Sequence, residues 1–176
     1  MLSASDLESY DIQDFCAEAL NNSVEFKDFC TTLVGEPLNI ETDAILNDID
    51  KLPMLPYCSI HSGESIDDLT QPEWGSPYEI GLVFGISDTV SDINPNSPFV
   101  EENGIKKYSS ARTVQKISKQ AILTIKDEMA RTGINGDYNI QIVTASGTTT
   151  NTGEAEDMNY ILSLTFNYLN SIMKDC

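Results

Sequence analysis

Positive charge is scarce in this chain of 176 residues. Ten lysines and arginines stand against 28 acids, a net charge of −18. A surface of that sign repels DNA and RNA over most of its area, which disfavours ordinary nucleic-acid binding. Histidine occurs once, as His61, and tryptophan once, as Trp74. The four cysteines, Cys16, Cys30, Cys58 and Cys176, form no C-x-x-C pair. No apolar run approaches the ~20 residues of a membrane helix. The start, Met1-Leu2-Ser3-Ala4-Ser5-Asp6, lacks the basic and apolar stretches of a secretion signal. These absences predict a soluble intracellular chain with reduced thiols and no lipid anchor. Walker loops, G-x-G-x-x-G, G-x-S-x-G and H-E-x-x-H are also missing, so no known catalytic signature guides the reading.

What is present is ordinary in amount and uneven in placement. Apolar residues make up 40% of the chain, enough for a sizeable core. Residues 1–105 hold 21 acids against Lys27 and Lys51, a net of −19. Residues 106–176 hold seven acids and eight bases, a net of +1. An acidic half joined to a balanced half favours contact between unlike faces of copies or partners; it also serves simple solubility.

The patterning predicts an α+β fold. Residues 5–20 and 23–34 read as two helices, with Ser5 and Ser23 as caps and Gly35 and Pro37 as the stop. Glu41 to Asp50 reads as a short helix. Leu52-Pro53-Met54-Leu55-Pro56 then fixes an extended lead-in. Four strands are expected at 57–61, 78–87, 138–144 and 158–168, the last two-fold alternating from Met158 to Tyr168. One long helix, Ser109 to Thr132, lies between the second and third. Val114, Ile117, Ala121, Ile125 and Met129 line one side of it; Arg112, Lys116, Lys119 and Lys126 line the other, with Leu123 among them. Residues 62–77, 88–107 and 145–155 read as long loops, the last rich in threonine. The simplest architecture is a mainly antiparallel four-stranded sheet with the long helix packed on a face, plus N-terminal helices. Residues 1–37 form a helical segment or arm, and residues 38–176 the α+β domain.

Candidate chemistry is thin. Cys58 and His61, three apart on a strand, point to opposite faces and cannot share a metal. No metal or cofactor is expected. Ser59 and His61 share a face, but i, i+2 side chains ~6–7 Å apart are too distant for a direct hydrogen bond. Asp48/Asp50, Asp67/Asp68 and Glu154/Glu156/Asp157 read as solvated surface, or as cation or acid–base pairs. Trp74, in a Pro/Gly-rich loop, either anchors an interface or covers its own core. The basic stripe is either a solvated face or a partner surface.

Taken as a set, five features resemble the phage tail terminator family, minor tail proteins of the lambda type. They are an N-terminal helical segment and the lead-in Leu52-Pro53-Met54-Leu55-Pro56-Tyr57 with Gly63-Glu64 beyond it. The strand Tyr78–Ser87 and long helix follow, then a final hairpin ending Ile161-Leu162-Ser163-Leu164-Thr165-Phe166-Asn167-Tyr168. The resemblance covers about residues 38–170 by order of elements. It implies a non-enzymatic virion protein, made in the host cytoplasm and placed at the tail neck. Such proteins form a homo-hexameric ring that caps the tail tube and stops its growth. The ring receives the head–tail connector or head-completion protein, and DNA passes through as unbound cargo. Arg112, Lys116, Lys119 and Leu123 become candidate subunit contacts. Asn94, Phe99, Trp74, Thr148, Thr149, Thr150 and Asn151 become candidate tube or connector contacts. The N-terminal helices are longer than the family's usual short one. Other head–tail joining proteins, and an acidic adaptor or DNA-mimic inhibitor, are the rival readings.

Overall fold

The computed structural model describes residues 9–44, 53–62, 76–87, 99–132, 141–151 and 157–168. Two helices open it, α1 (Ser9–Asn22) and α2 (Val24–Val34), separated only by Ser23. Ser23 has extended backbone, and its hydroxyl accepts the Phe26 N–H at 3.1 Å, which starts α2. Gly35, at φ 89°, ends it by donating its N–H to the Thr31 carbonyl at 2.9 Å. The chain then enters β1 (Asn39–Thr42) rather than the expected helix from Glu41. Asp43, at φ 54°, turns the backbone out of that strand; residues 45–50 lie outside the described residues.

Next come β2 (Tyr57–Ser62) and β3 (Ser76–Ser87), then a hairpin of β4 (Phe99–Glu102) and β5 (Ile105–Tyr108). The hairpin falls where a loop is expected. Its turn is Asn103-Gly104, with φ 55° and 74°, the positive-φ pair that two-residue hairpins need. Helix α3 (Ser109–Thr132) follows without a linker, on the bounds that its amphipathic pattern predicts. The chain closes with β6 (Gln141–Asn151) and β7 (Asp157–Tyr168).

Among the described residues the main sheet has five strands in the order β1-β2-β3-β7-β6, not the expected four. All neighbours are antiparallel except β1, which pairs parallel with β2. The fifth strand arises because β2 offers Asn39–Thr42 a backbone ladder that its own sequence does not advertise. A second correction concerns β6. The threonine-rich stretch 145–151 is strand, not loop, paired with β7 from Ala145↔Leu164 to Asn151↔Met158. Threonine is a good strand former, and the twelve-residue β7 supplies a template for its full length. A bulge between Ile142 and Thr144 shifts the register by one residue. The predicted strand residues 138–140 lie outside the described residues.

One core joins helices and sheet. Ile80, Leu82, Phe84 and Ile86 alternate onto one face of β3, opposite Ile60 and Cys58 of β2. Val114, Ile117, Ala121, Ile125 and Met129 come down from α3; Ile12, Cys16, Leu20, Phe26 and Cys30 come from α1 and α2. All are buried, and each large side chain contributes roughly 1.5–3 kcal/mol. Helix α1 covers β1, β2 and β3, while α3 covers β3, β7 and β6. Residues 9–34 therefore share the core of the sheet.

Candidate functional site

Strand β2 carries the most chemistry per residue. Ser59 Oγ lies 2.9 Å from His61 Nε2, a direct hydrogen bond. The expectation that the two are too far apart is corrected: strand side chains lean along the strand and close the gap that backbone spacing leaves. Ser59 Oγ also accepts the Ala44 N–H at 3.3 Å. The serine is fully buried and His61 only half so. A hydroxyl enclosed in this way offers no face to a substrate, and it acts as a strut between β2 and the chain leaving β1. A second strut is Gln13 of α1, whose amide donates to the Ile60 carbonyl at 2.7 Å. Tyr57 is buried on the Ser59 side, its ring lying over Gly85 of β3.

Three thiols meet on the other side of β2. Cys16, Cys30 and Cys58 are free and buried. Burial pushes the Cys30 thiol up to about 12 and the Cys16 thiol higher. Cys58 is raised first by burial, then by its neighbours Cys30 and Cys16. All three stay protonated near neutral pH, so they pack as small apolar groups and are poor nucleophiles. Cys58 sits in the core while His61 bonds Ser59 on the opposite face, so the C-x-x-H spacing brings no ligands together. Among the described residues, no group of three His, Cys, Asp or Glu side chains is placed to hold a metal ion.

The predicted contact residues fall on three surfaces. Arg112, Lys116 and Lys119 are exposed on the side of α3 turned away from the core, and Lys126 continues their line. Leu123 stands among them, 45% exposed. At the end of α3, Arg131 Nε donates to Glu128 at 2.8 Å; this bond, then the charge, lowers the Glu128 carboxyl. A polar cleft of about 360 Å³ lies beside that pair, where α1, α2 and α3 meet. Thr148, Thr149, Thr150 and Asn151 form the last third of β6, an edge strand. Phe99 opens the β4–β5 hairpin opposite Tyr108. Asn94 and Trp74 lie outside the described residues.

Two features of these surfaces were not among the predicted sites. Among the described residues the hairpin pairs with no strand of the main sheet, and residues 101–106 are exposed, Ile105 by 60%. Lys107 and Glu102 form an ion pair across it. The Asn103-Gly104 dipeptide between Phe-Val-Glu-Glu and Ile-Lys-Lys-Tyr is the signal that locates it. On α1, Tyr10 is 57% exposed beside an acidic line, a surface invisible until the core side of the helix is known. Among the described residues no helix is long and apolar enough to cross a membrane. The sequence matches no family model and no curated protein.

Proposed function

We propose that this chain is a structural assembly protein that closes a ring on the end of a phage tail tube. In this reading the ring stops the tube growing and gives the head or its connector a docking surface. The observation that carries it is the place of β6 at the edge of the sheet formed by the described residues. Eleven residues, Gln141–Asn151, form an edge strand without one charged residue, in a chain of net charge −18. Proteins that remain alone blunt long edges with lysine, proline or a covering element, because unpaired backbone groups recruit other chains. Among the described residues a bulge near Ile142 is the one such device, and it leaves 144–151 in regular register. We assign Thr148–Asn151 to tube or connector contact. The α3 face with Arg112, Lys116, Lys119 and Leu123 joins copies.

The acidic balance suits a conduit. Six copies at −18 each carry −108, and a negative lumen lets DNA pass without holding it. The test is the purified chain added to tail tubes polymerising from tube protein. Capped tubes of limited length, with a ring at the end in negative-stain images, are expected. Tubes that grow to the same length with and without the chain would refute the reading. Rings that bind the connector but leave tubes unaffected would assign the chain to head completion instead.

A further inference from the structure

The turn of the β4–β5 hairpin sets an asparagine side chain against an unhindered backbone nitrogen. Asn103 and Gly104 are both exposed, at φ 55° and 74°. No atom beyond the chain neighbours lies within 4 Å of the point where a side chain on Gly104 would stand. Glycine, with no Cβ, lets its nitrogen come close to another group. That nitrogen follows Asn103 directly, so it and Asn103 Cγ are the two ends of a potential five-membered ring. The ribbon that holds the turn is short. Its strands are joined from Phe99↔Tyr108 to Glu102↔Ile105, and among the described residues neither pairs with the main sheet. A two-stranded ribbon is marginally stable by itself in water, so it opens locally far more often than the core unfolds. Each opening frees the turn backbone to rotate toward ring closure.

We infer that Asn103 is a site of spontaneous covalent modification, converting to aspartate or isoaspartate through a cyclic imide. The Gly104 nitrogen attacks Asn103 Cγ. The new C–N bond replaces the bond to Nδ2, which leaves as ammonia with the proton that the Gly104 nitrogen gives up. Water then opens the imide at either carbonyl carbon. Opening at Cγ gives aspartate. Opening at the main-chain carbon gives isoaspartate, with the chain running through Cβ and Cγ. The sum is one water taken up and one ammonia released, so no oxidant or reductant is needed. Either product adds a negative charge beside Glu101 and Glu102. Isoaspartate also lengthens the backbone path of a two-residue turn by one carbon, and Glu102 and Ile105 then no longer pair in register. The turn is a slow, one-way chemical switch on the segment that leads into α3.

The test follows the purified full chain in mildly alkaline buffer over days. Digestion with trypsin and an endoprotease that cuts after glutamate releases Asn103-Gly104-Ile105-Lys106. This separates it from the chain's other Asn-Gly, Asn135-Gly136, which lies outside the described residues. Mass spectrometry should show the peptide gaining about one dalton and separating into an aspartate and an isoaspartate form. The rate should fall within about tenfold of that in a synthetic peptide Phe99–Tyr108. It should exceed by at least about tenfold the rates at the exposed Asn21, Asn22 and Asn39, which no glycine follows. Asn103 staying intact while the synthetic peptide converts would overturn the inference, as would a rate no higher than at those three. Aspartate with no isoaspartate would show direct hydrolysis and overturn the imide. Converted chains should be cut faster by trypsin at Lys106 and Lys107, at an unchanged melting temperature. Cutting at the parent's rate would overturn the switch.

Discussion

Gly85→Ala puts the packing of β2 on β3 to a numerical test. Gly85 sits opposite Tyr57, and the tyrosine ring occupies the space where a side chain would stand. A methyl group there would lie 2.2 Å from Tyr57 Cε1 and 2.5 Å from Cζ. Carbon atoms in contact sit about 3.5–4.0 Å apart, so more than an ångström of overlap must be relieved. Tyr57 is 3% exposed, so its ring cannot relieve the overlap by turning into solvent without losing its burial. Overpacking of this kind costs typically 1–3 kcal/mol. Against it stands the 0.5–1 kcal/mol that replacing glycine within a strand ordinarily returns. The expected net loss is about 1–2 kcal/mol, read as a lower urea midpoint at unchanged slope. For a chain of this length it should lower the melting temperature by roughly 2–8 °C. The double-mutant cycle is decisive. Tyr57→Ala alone should cost about 3–5 kcal/mol, and adding Gly85→Ala to it should cost nothing or stabilise slightly. An equal penalty in both backgrounds, or a Gly85→Ala protein as stable as the parent, would refute the ring-over-glycine account.

Further tests follow from the struts, thiols and hairpin. Ser59→Ala removes the acceptor of the Ala44 N–H and the partner of His61, and should cost about 1–2 kcal/mol in urea unfolding. It should leave association unchanged. Cys16 and Cys58 have folded-state values raised above the ordinary 9.0, so their protonated forms belong to the folded state. Their contribution is complete below pH 9; above it the unfolded chain loses protons that the folded chain keeps. Stability should fall by up to about 1.4 kcal/mol per pH unit for each, a slope that Cys16→Ala/Cys58→Ala should flatten. In the hairpin, Asn103→Ala/Gly104→Ala places alanine at two positive-φ positions and should cost at least about 1 kcal/mol locally. Trypsin should then cut faster at Lys106 and Lys107, while the global urea midpoint stays within error.

Local signals and non-local ones were unequally legible. Helix α3 was readable end to end, since its apolar side repeats at helical spacing for about four turns, Val114 to Met129, and Gly133 follows. The Ser23 cap and Gly35 stop of α2 were equally plain, being chemistry within four residues of each terminus. Strand β3 showed in its strict alternation from Ile80 to Ile86. Strand β1 was not readable because Ile40 is its only apolar residue, and β2 supplies its hydrogen bonds from elsewhere in the chain. The far half of β6 was hidden for the same reason: Gly147 to Asn151 has loop composition, and only its pairing with β7 makes it strand. The hairpin was readable in principle from Asn103-Gly104 but submerged in a stretch rich in asparagine, proline and serine. Among site residues, the exposure of Arg112, Lys116, Lys119 and Leu123 followed from periodicity alone. The Ser59–His61 bond did not, since it depends on side-chain lean rather than backbone spacing.

The measurement that bears most directly on the assembly reading is the mass of the purified chain at high concentration, with negative-stain images of the same sample. A particle near 116 kDa, six times 19.4 kDa, with an open centre is the expected result. A 19.4 kDa monomer at every concentration, in low and high salt alike, that also leaves the growth of tail tubes unchanged would contradict it.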